Sequence, residues 1–274
     1  MFSTGGKKRV RYSRILILSL MLSAISAGVV PLGNIQAAAD PSRLASHRIA
    51  IVIDDLGNGM QGTQDMLNLP IPLTVAIMPF LPTSKQDAEA AFKKGHEVLV
   101  HMPMEPFHGK KSWLGPGAIT TDLTDDEIRK RVEGAIANVP HAIGINNHMG
   151  SKATSDPRVM AVIMQVCREK GLFFLDSKTT PTSKAPEEST RAGVPLLQNG
   201  LFLDDVYTHA HVSKQIRLLF EKSRKEADLI VIGHVGVPGK ITSSALREAI
   251  PALQKEAEFV HLSDMLPWPQ PIPR

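Results

Sequence analysis

The stretch His141-Ala-Ile-Gly-Ile145, followed by Asn146-Asn147-His148-Met149-Gly150-Ser151, joins a short apolar run to a polar end. The polar end holds amides, an imidazole and a hydroxyl, but no group with a permanent charge that would favour open solvent. A surface loop has little use for that combination, whereas a cleft that binds a metal ion or a sugar has a clear use for it. The stretch therefore predicts a buried strand that ends at a functional site.

Other apolar runs also end in polar or ionisable residues. They are Ile53-Asp54-Asp55, Val100-His101, Leu175-Asp176-Ser177 and Ile232-Gly233-His234. Amphipathic, helix-like stretches separate the runs, and strands that alternate with helices favour parallel pairing. The pattern predicts a single-domain α/β fold, a distorted (β/α) barrel with about seven parallel strands. A doubly wound open sheet is the alternative, and both architectures place the active site at the C-terminal ends of the strands.

The first 39 residues are predicted to be an export leader rather than part of the fold. A basic segment precedes an apolar run over residues 15–30, and Ala37-Ala38-Ala39 offers small residues to a signal peptidase. We expect a signal peptide over 1–39, a linker over 40–47, the domain over 48–266 and a Pro-rich tail over 267–274. An uncleaved anchor is the alternative, although the apolar run is shorter than the roughly 20 residues of a spanning helix.

The net charge of +4 comes from the leader, which holds five of the 31 basic residues and none of the 27 acidic ones. The remaining chain is nearly neutral, so the charge gives no support for binding to nucleic acid. We expect a periplasmic or extracellular protein without stable membrane insertion after cleavage. The single cysteine, Cys167, cannot form an internal disulfide, and its amphipathic surroundings predict a small buried apolar role.

Two adjacent carboxylates, Asp54 and Asp55, close the first predicted strand. Each raises the proton affinity of the other unless a cation is shared with other groups. Adjacent residues of a strand alternate between faces, but a turn of the backbone at the strand end can aim both at one cleft. A metal then resolves the repulsion, with one carboxylate as ligand and the other as base. Because Gly57 and Gly59 follow, a simple turn is the alternative.

Three histidines, His101, His148 and His234, close other strands at the same predicted edge. Each one alone is more often a core residue than a ligand, but imidazole and carboxylate together are the ligands of zinc and similar divalent ions. Two histidines with one aspartate leave positions open for water and substrate, as in catalytic sites. The set predicts a divalent metal, with zinc the expected ion. Pro103 and Pro106 predict that the chain leaves the third strand soon after His101.

These motifs resemble the divergent polysaccharide deacetylase family of exported bacterial proteins over about residues 48–266. The residues that carry the resemblance are Ile51-Val-Ile-Asp-Asp-Leu-Gly57, His101-Met-Pro-Met-Glu-Pro106, Gly144-Ile-Asn-Asn-His-Met-Gly-Ser151, Leu172-Phe-Phe-Leu-Asp-Ser177, Phe202-Leu-Asp204 and Ile232-Gly-His234. The family is related to the NodB-type carbohydrate esterases, which have a distorted (β/α) barrel and a metal held by Asp-His-His. The resemblance therefore implies the same fold and a metal-dependent activity on carbohydrate.

The resemblance also implies roles for individual residues. The catalytic residues are Asp54 as general base, with His234 and Asp176 as orienting or general-acid residues; the metal ligands are Asp55, His101 and His148; the substrate-binding residues are Asn146, Asn147, Ser151 and Glu105. Typical relatives carry two metal histidines on one short segment. Here the histidine after His101 is His108, in a Gly- and Pro-rich loop, so His148 is the better candidate. In the same loop, Trp113 offers a face for sugar stacking or merely loop packing.

The implied reaction is metal-assisted hydrolysis of N-acetyl, or O-acetyl, groups on a cell-envelope polysaccharide. A catalytically inactive glycan- or cell-wall-binding protein is the first alternative, favoured by the missing histidine pair. A glycoside hydrolase that uses Asp54 and Asp176 is the second, and it leaves the three histidines unexplained. No Gly-rich phosphate loop follows the first strand and no Gly-x-Ser-x-Gly is present, which excludes the common nucleotide-binding and serine-hydrolase signatures.

Overall fold

A computed structural model describes residues 47–267, so the predicted leader, nearly all of the linker and the tail beyond Pro267 lie outside the described range. Strands and helices alternate along it. The strands are β1 (Arg48–Leu56), β2 (Thr74–Ile77), β3 (Glu97–Met104), β4 (Ala142–Met149), β5 (Phe173–Asp176), β6 (Leu196–Gln198), β7 (Leu201–Phe202), β8 (Asp228–His234) and β9 (Glu258–Phe259). The α-helices are α1 (Thr63–Leu67), α2 (Ser84–Lys93), α3 (Asp125–Asn138), α4 (Pro157–Lys170), α5 (Ala185–Ala192), α6 (His209–Ser223) and α7 (Gly239–Leu253).

All strand pairs of the sheet are parallel, in the order β6-β5-β4-β3-β2-β1-β8-β7, with β9 pairing to the start of β1. The first strand is therefore central, between β2 and β8. Parallel strands need crossover connections, and the helices supply them. This arrangement confirms the predicted α/β class.

The sheet is curled, and the short link between its two edge strands shows why. β6 ends at Gln198 and β7 begins at Leu201, and with 3.8 Å between consecutive Cα atoms this link spans at most roughly 11 Å. A flat sheet of eight strands would hold its outer strands roughly 34 Å apart. The sheet must therefore curl until its edges approach. Within residues 47–267 no strand pairing joins β6 to β7, so the structure is an incompletely closed barrel, as predicted.

Strand residues are buried on both faces, which explains their nearly continuous apolar sequences. Ile49, Ile51 and Ile53 belong to an outer core that includes residues of the covering helices. Ala50 and Val52 belong to a smaller inner core built mainly from strand residues. Cys167 lies in the outer core and is fully buried, as expected, and burial raises the pKa of its thiol to about 12.

Several strands run beyond their apolar sequences, and this extension carries polar residues into the sheet. β1 continues to Leu56, β3 to Met104, β4 to Met149 and β8 to His234. β3 continues through Pro103 and ends at Met104, before Pro106. The Pro103 carbonyl accepts a hydrogen bond from the Ile119 N–H at 2.8 Å, and Met104 forms a bridge with the same residue, so the returning loop supports the end of the strand.

Among the described residues, no helix is both long enough and apolar enough to span a membrane.

Candidate metal centre and active site

The inner face of the barrel determines which polar residues meet at its C-terminal end. Side chains two residues apart in a strand share a face, and the inner residues Val52, Leu99 and Ile232 are followed two positions later by Asp54, His101 and His234. The register of the strand pairs places these residues side by side, since His101 lies opposite Asn146 and Asp54 lies opposite His234. The barrel thus assembles residues that are nearly 200 positions apart in the chain.

Asp55 departs from the alternation of faces and so reaches the same site as Asp54. Its φ of 70° lies in the left-handed region, and the pairing of β1 with β2 shifts register between Ile53 and Leu56. A non-glycine residue in this conformation is uncommon and is often found at functional sites. The predicted turn at the strand end is therefore present, and it directs both carboxylates to one place.

The side chains of Asp55, His101 and His148 converge on one point. Asp55 Oδ1 lies 3.2 Å from His101 Nε2 and 2.9 Å from His148 Nδ1, and the two ring nitrogens are 3.1 Å apart. Although buried, Asp55 Oδ1 has no hydrogen-bond partner with suitable geometry. Two ring nitrogens therefore meet beside a carboxylate oxygen that no donor satisfies.

The outer nitrogen of each imidazole faces a carbonyl oxygen, and this contact fixes the tautomer. His101 Nδ1 donates to the side-chain oxygen of Asn146 at 2.8 Å, and His148 Nε2 donates to the main-chain oxygen of Trp113 at 3.1 Å. In the neutral rings, the inner nitrogens then carry lone pairs. Those lone pairs point towards each other and towards the Asp55 carboxylate, and they repel one another unless a proton or a metal ion lies between them.

The donor set fits a divalent cation. Asp55, His101 and His148 can each offer one ligand atom, all within 4.8 Å of one another. Ligand atoms bound 2.0–2.2 Å from a tetrahedral zinc ion lie roughly 3.3–3.6 Å apart, slightly more than the 2.9–3.2 Å observed here. A carboxylate with two imidazoles, each held from behind by a second residue, is the pattern of catalytic sites with open coordination positions.

Asn146 connects the predicted base to a predicted ligand. Its amide nitrogen donates to Asp54 Oδ1 at 2.9 Å, while its amide oxygen accepts from His101. The side chain is fully buried, with 0% exposure. The structure therefore gives Asn146 a positioning role in place of the substrate contact predicted from the sequence.

His234 belongs to a separate hydrogen-bonded cluster with Asp204 and Thr242. The ring Nδ1 of His234 donates to Asp204 Oδ1 at 2.7 Å, while the His234 N–H and the Thr242 hydroxyl donate to Oδ2 at 2.9 and 2.6 Å. Burial lowers the pKa of His234, but the hydrogen bond and charge of Asp204, together with the charges of Asp55 and Asp54, raise the pKa to about 9. His234 is thus a protonated imidazolium at neutral pH.

The two adjacent carboxyls differ in proton affinity. Burial raises the pKa of Asp54, and the nearby His101 and His234 offset only part of that effect. Burial also acts to raise the pKa of Asp55, but His101 and His148 hold it well below its usual range. For His101, burial lowers the pKa, but Asp54 and Asp55 together raise it. Asp55 is therefore the ionised, ligand-like carboxylate, and Asp54 is the better proton acceptor.

Two other predicted site residues lie on the outer strand face. Asn147 accepts from the Ser177 N–H at 3.0 Å and donates to the Met149 carbonyl at 2.8 Å, so its amide braces the end of β4 against the chain after β5. Asp176 caps the next turn by accepting from the Lys178 N–H at 2.8 Å. Within the described chain, Asp176 makes no hydrogen bond to Asp54 or His234, so its catalytic role stays a prediction.

Glu105 and Ser151 hold the loop that follows β3. Glu105 forms an ion pair with Lys152 at 2.9 Å and accepts two hydrogen bonds from Thr121. The Ser151 hydroxyl accepts from the Phe107 N–H at 3.0 Å. These contacts shape the rim beside His148, while the predicted substrate contacts of both residues stay predictions.

Asp204 belongs to one of the motifs that carry the family resemblance, but the sequence assigned it no role in the site. It follows the apolar residues Leu201-Phe-Leu203 and has 0% exposure. Phe202 packs against the inner core, and Asp204 stands two positions later, as Asp54 does after Val52. The same alternation could have identified Asp204 as an inward-facing partner for a strand-end histidine.

The curled parallel sheet and the three-residue donor set define an α/β barrel protein with a candidate metal centre at the C-terminal ends of its strands. The family model for divergent polysaccharide deacetylase matches residues 51–266. The chain therefore belongs to the divergent polysaccharide deacetylase family, as the sequence motifs predicted.

Comparison with known proteins finds relatives in Escherichia coli and Haemophilus influenzae. The uncharacterized protein YibQ of Escherichia coli K12 is 34% identical over 229 residues, which cover 84% of this chain and 70% of YibQ. An uncharacterized Haemophilus influenzae protein is 34% identical over 221 residues, covering 81% of this chain and 77% of that protein. The crystal structure of the uncharacterized protein ATU2773 from Agrobacterium tumefaciens C58 has a TM-score of 0.72 at 22% identity, covering 80% of this chain and 89% of that one. The similarity to ATU2773 shows that the two proteins share a fold.

Proposed function

We propose that this protein is an exported, metal-dependent carbohydrate deacetylase that hydrolyses N-acetyl or O-acetyl groups on a cell-envelope polysaccharide. The observation that carries the proposal is the convergence of Asp55, His101 and His148 around an unsatisfied carboxylate oxygen. Membership of the family supports the carbohydrate substrate, and the leader predicted from residues 1–39 supports export.

The residues of the chain divide the chemical work between them. Asp55, His101 and His148 would hold the ion, which we expect to be zinc. When bound, a divalent ion polarises an acetyl carbonyl and lowers the pKa of a water molecule. Asn146 holds Asp54 by a hydrogen bond on the inner face of the barrel. Asp54 accepts the proton of the attacking water.

His234 has the complementary task on the other side of β1. Departure of an amine, or of an alcohol from an O-acetyl group, requires a proton donor, and the protonated His234 ring can supply that proton. Asp204 holds Nδ1 of this ring, so Nε2 is left as the nitrogen available to the leaving group. A proton acceptor and a proton donor thus stand on adjacent strands, as hydrolysis of an amide or ester requires.

The structure argues against the glycoside hydrolase alternative. That mechanism needs two carboxyls facing one bond, but Asp54 follows inner-core residues of β1 and Asp176 caps a turn after β5. The inactive binding protein is disfavoured by a different observation. Although the segment after His101 lacks a second histidine, His148 from β4 joins Asp55 and His101, so three potential ligands still converge.

Acetate release tests the proposal. The purified protein is loaded with zinc, cobalt or manganese and incubated with N-acetylated peptidoglycan, chitin oligomers and an O-acetylated glycan, and acetate is measured. We expect release that a chelator abolishes and that Asp54→Asn reduces by at least about 100-fold without loss of bound metal. No acetate from any of these glycans under any metal loading would refute the proposal.

A further inference from the structure

Exposed apolar side chains are concentrated on one end of the barrel. Among the described residues, seven large hydrophobic side chains are exposed. Six of them follow the C-terminal ends of strands: Phe80, Phe107, Trp113, Val206, Tyr207 and Val237. The exception, Phe92, lies near the end of α2, at the opposite end of the sheet. Exposed apolar groups gathered in one region mark a binding surface, and this one surrounds the candidate metal centre.

Trp113 lies directly beside a candidate metal ligand. Its main-chain oxygen accepts from His148 Nε2 at 3.1 Å, and its side chain is 58% exposed. The Lys110 ammonium stands 5.7 Å from the ring centroid and so supports the indole ring. The same residue therefore fixes the orientation of His148 and presents an aromatic surface to solvent next to it.

Tyr207 occupies the corresponding position on the other side. It follows Asp204, the partner of His234, by three residues, and it too is 58% exposed. Burial of the phenol, with the carboxylates of Asp55 and Asp204, raises the pKa of Tyr207, which places the ring within electrostatic reach of the centre.

The order of the strands places the two aromatic residues on opposite sides of Asp55. Trp113 contacts His148 of β4 from the loop after β3, whereas Tyr207 follows β7. Two steps along the sheet separate β1 from β3, and two steps in the other direction separate β1 from β7. A polymer that lies along the line from Trp113 to Tyr207 passes one aromatic ring, then the donor set, then the other ring.

We propose that Trp113 and Tyr207 are sugar-stacking residues on the two sides of the centre, and that the substrate is an internal segment of a glycan chain with at least three sugar units. This inference rests on the proposed function. Sugar rings present flat faces of C–H groups that pack on aromatic rings, which aliphatic residues such as Val206 and Val237 do not match. One unit on each ring leaves the middle unit at Asp55, His101 and His148.

Binding to chelator-treated protein tests the inference without turnover. Isothermal titration calorimetry is run with N-acetylglucosamine and with its β-1,4-linked oligomers of two to six units. We expect the affinity to rise up to the trimer. Trp113→Ala and Tyr207→Ala should each weaken trimer and longer-oligomer binding by about tenfold, whereas Tyr207→Phe should retain it. Phe92→Ala is the matched control, since Phe92 is 53% exposed at the opposite end of the barrel and should leave binding unchanged.

Several results would overturn the inference. These are equal affinity for the monomer and the hexamer, no binding of any oligomer, or unchanged binding in both alanine variants. Circular dichroism melting identifies a variant that fails to fold, and Tyr207→Phe then still tests the position. Oligomer binding without acetate release would refute the proposed activity and retain the stacking residues. Acetate release with a wild-type KM in both alanine variants would support the proposed activity and refute the stacking roles of Trp113 and Tyr207.

Discussion

The centre built from Asp55, His101 and His148 and the cluster built from Asp204 and His234 contain the same kinds of side chain but differ in their hydrogen bonds. In the cluster, Asp204 receives donors on both oxygens. In the centre, Asp55 Oδ1 has no suitable donor and two imidazole nitrogens face it. The comparison teaches that residue type alone does not separate a cation site from a proton donor. The separation comes from which groups already hold a hydrogen.

The largest effect is expected from removing a ligand of the centre. His148→Ala should reduce bound divalent metal from about one ion per chain to background, measured by inductively coupled plasma mass spectrometry, and should abolish acetate release. The control is His141→Asn, which removes an imidazole before β4 at a φ of 64° that Asn tolerates. Full metal content in His148→Ala would show that His148 is not a ligand, and the centre would no longer differ from the Asp204 and His234 cluster as a cation site.

The second effect separates the two groups by function. His234→Gln should lower kcat for acetate release by about 10²- to 10⁴-fold, because it removes the proton donor. Metal content should stay as in the wild type, because His234 is held by Asp204 outside the donor set. Simultaneous loss of metal would show that His234 is a ligand and would merge the two groups.

A smaller effect is expected from the residue that links Asp54 to His101. Asn146→Leu leaves two buried polar groups unpaired and should lower the free energy of unfolding by about 3 kcal/mol, measured by urea denaturation. Metal affinity should also fall by about 10- to 100-fold, because His101 loses the group that orients it.

Asn147→Leu is the matched comparison on the same strand. Asn147 makes its hydrogen bonds on the outer face, so this variant should lose stability while it retains wild-type metal affinity. Equal loss of metal affinity in both variants would contradict the assignment of Asn146 as the positioning residue.

The smallest effect concerns pH. In Asp204→Asn the pKa of His234 should fall from about 9 towards its ordinary 6.5, because Asp204 is the main group that raises it, with Asp55 and Asp54 of β1 adding to that effect. The alkaline limb of kcat/KM should then move to lower pH. Titration of the ring by NMR in metal-free protein measures the same shift directly. An unchanged titration would show that Asp204 does not control this imidazole.

The raised pKa of His234 also makes the free energy of unfolding depend on pH. The folded-state pKa of His234 lies above its unfolded value, so the wild-type contribution is complete below about pH 6.5 and is lost as pH rises through about 9. Asp204→Asn should reduce the difference in unfolding free energy between these two pH values.

Much of the fold and part of the site were predictable from short patterns. The apolar runs predicted the parallel strands, and the polar residues after them predicted the edge at which Asp54, His101 and His234 assemble. Both depend on local properties, namely burial on two faces and the direction of parallel strands. The convergence of Asp55, His101 and His148 required one further fact, the left-handed backbone at Asp55, which the sequence indicated only as a turn near glycine.

The remaining assignments depend on which face of its strand each residue occupies. Asp204 continues the inward-facing series through Phe202, whereas Asn147 follows Ile145 of the outer core. Asn146 was recognised as a site residue, but its burial between Asp54 and His101 comes from pairing with a strand 45 positions away. Such long-range pairing sets the role of a side chain, and a single sequence does not display it.

The central place of β1 has a consequence for folding. Although β1 is the first strand of the domain, it pairs with β8 from Arg48 to Asp54, where Asp54 lies opposite His234. Contacts between such distant segments slow folding. Until β8 is available, one long edge of β1 has no partner, and unpaired apolar edges associate with other chains. When β8 joins β1, the site is therefore completed and the risk of misassembly ends at the same step.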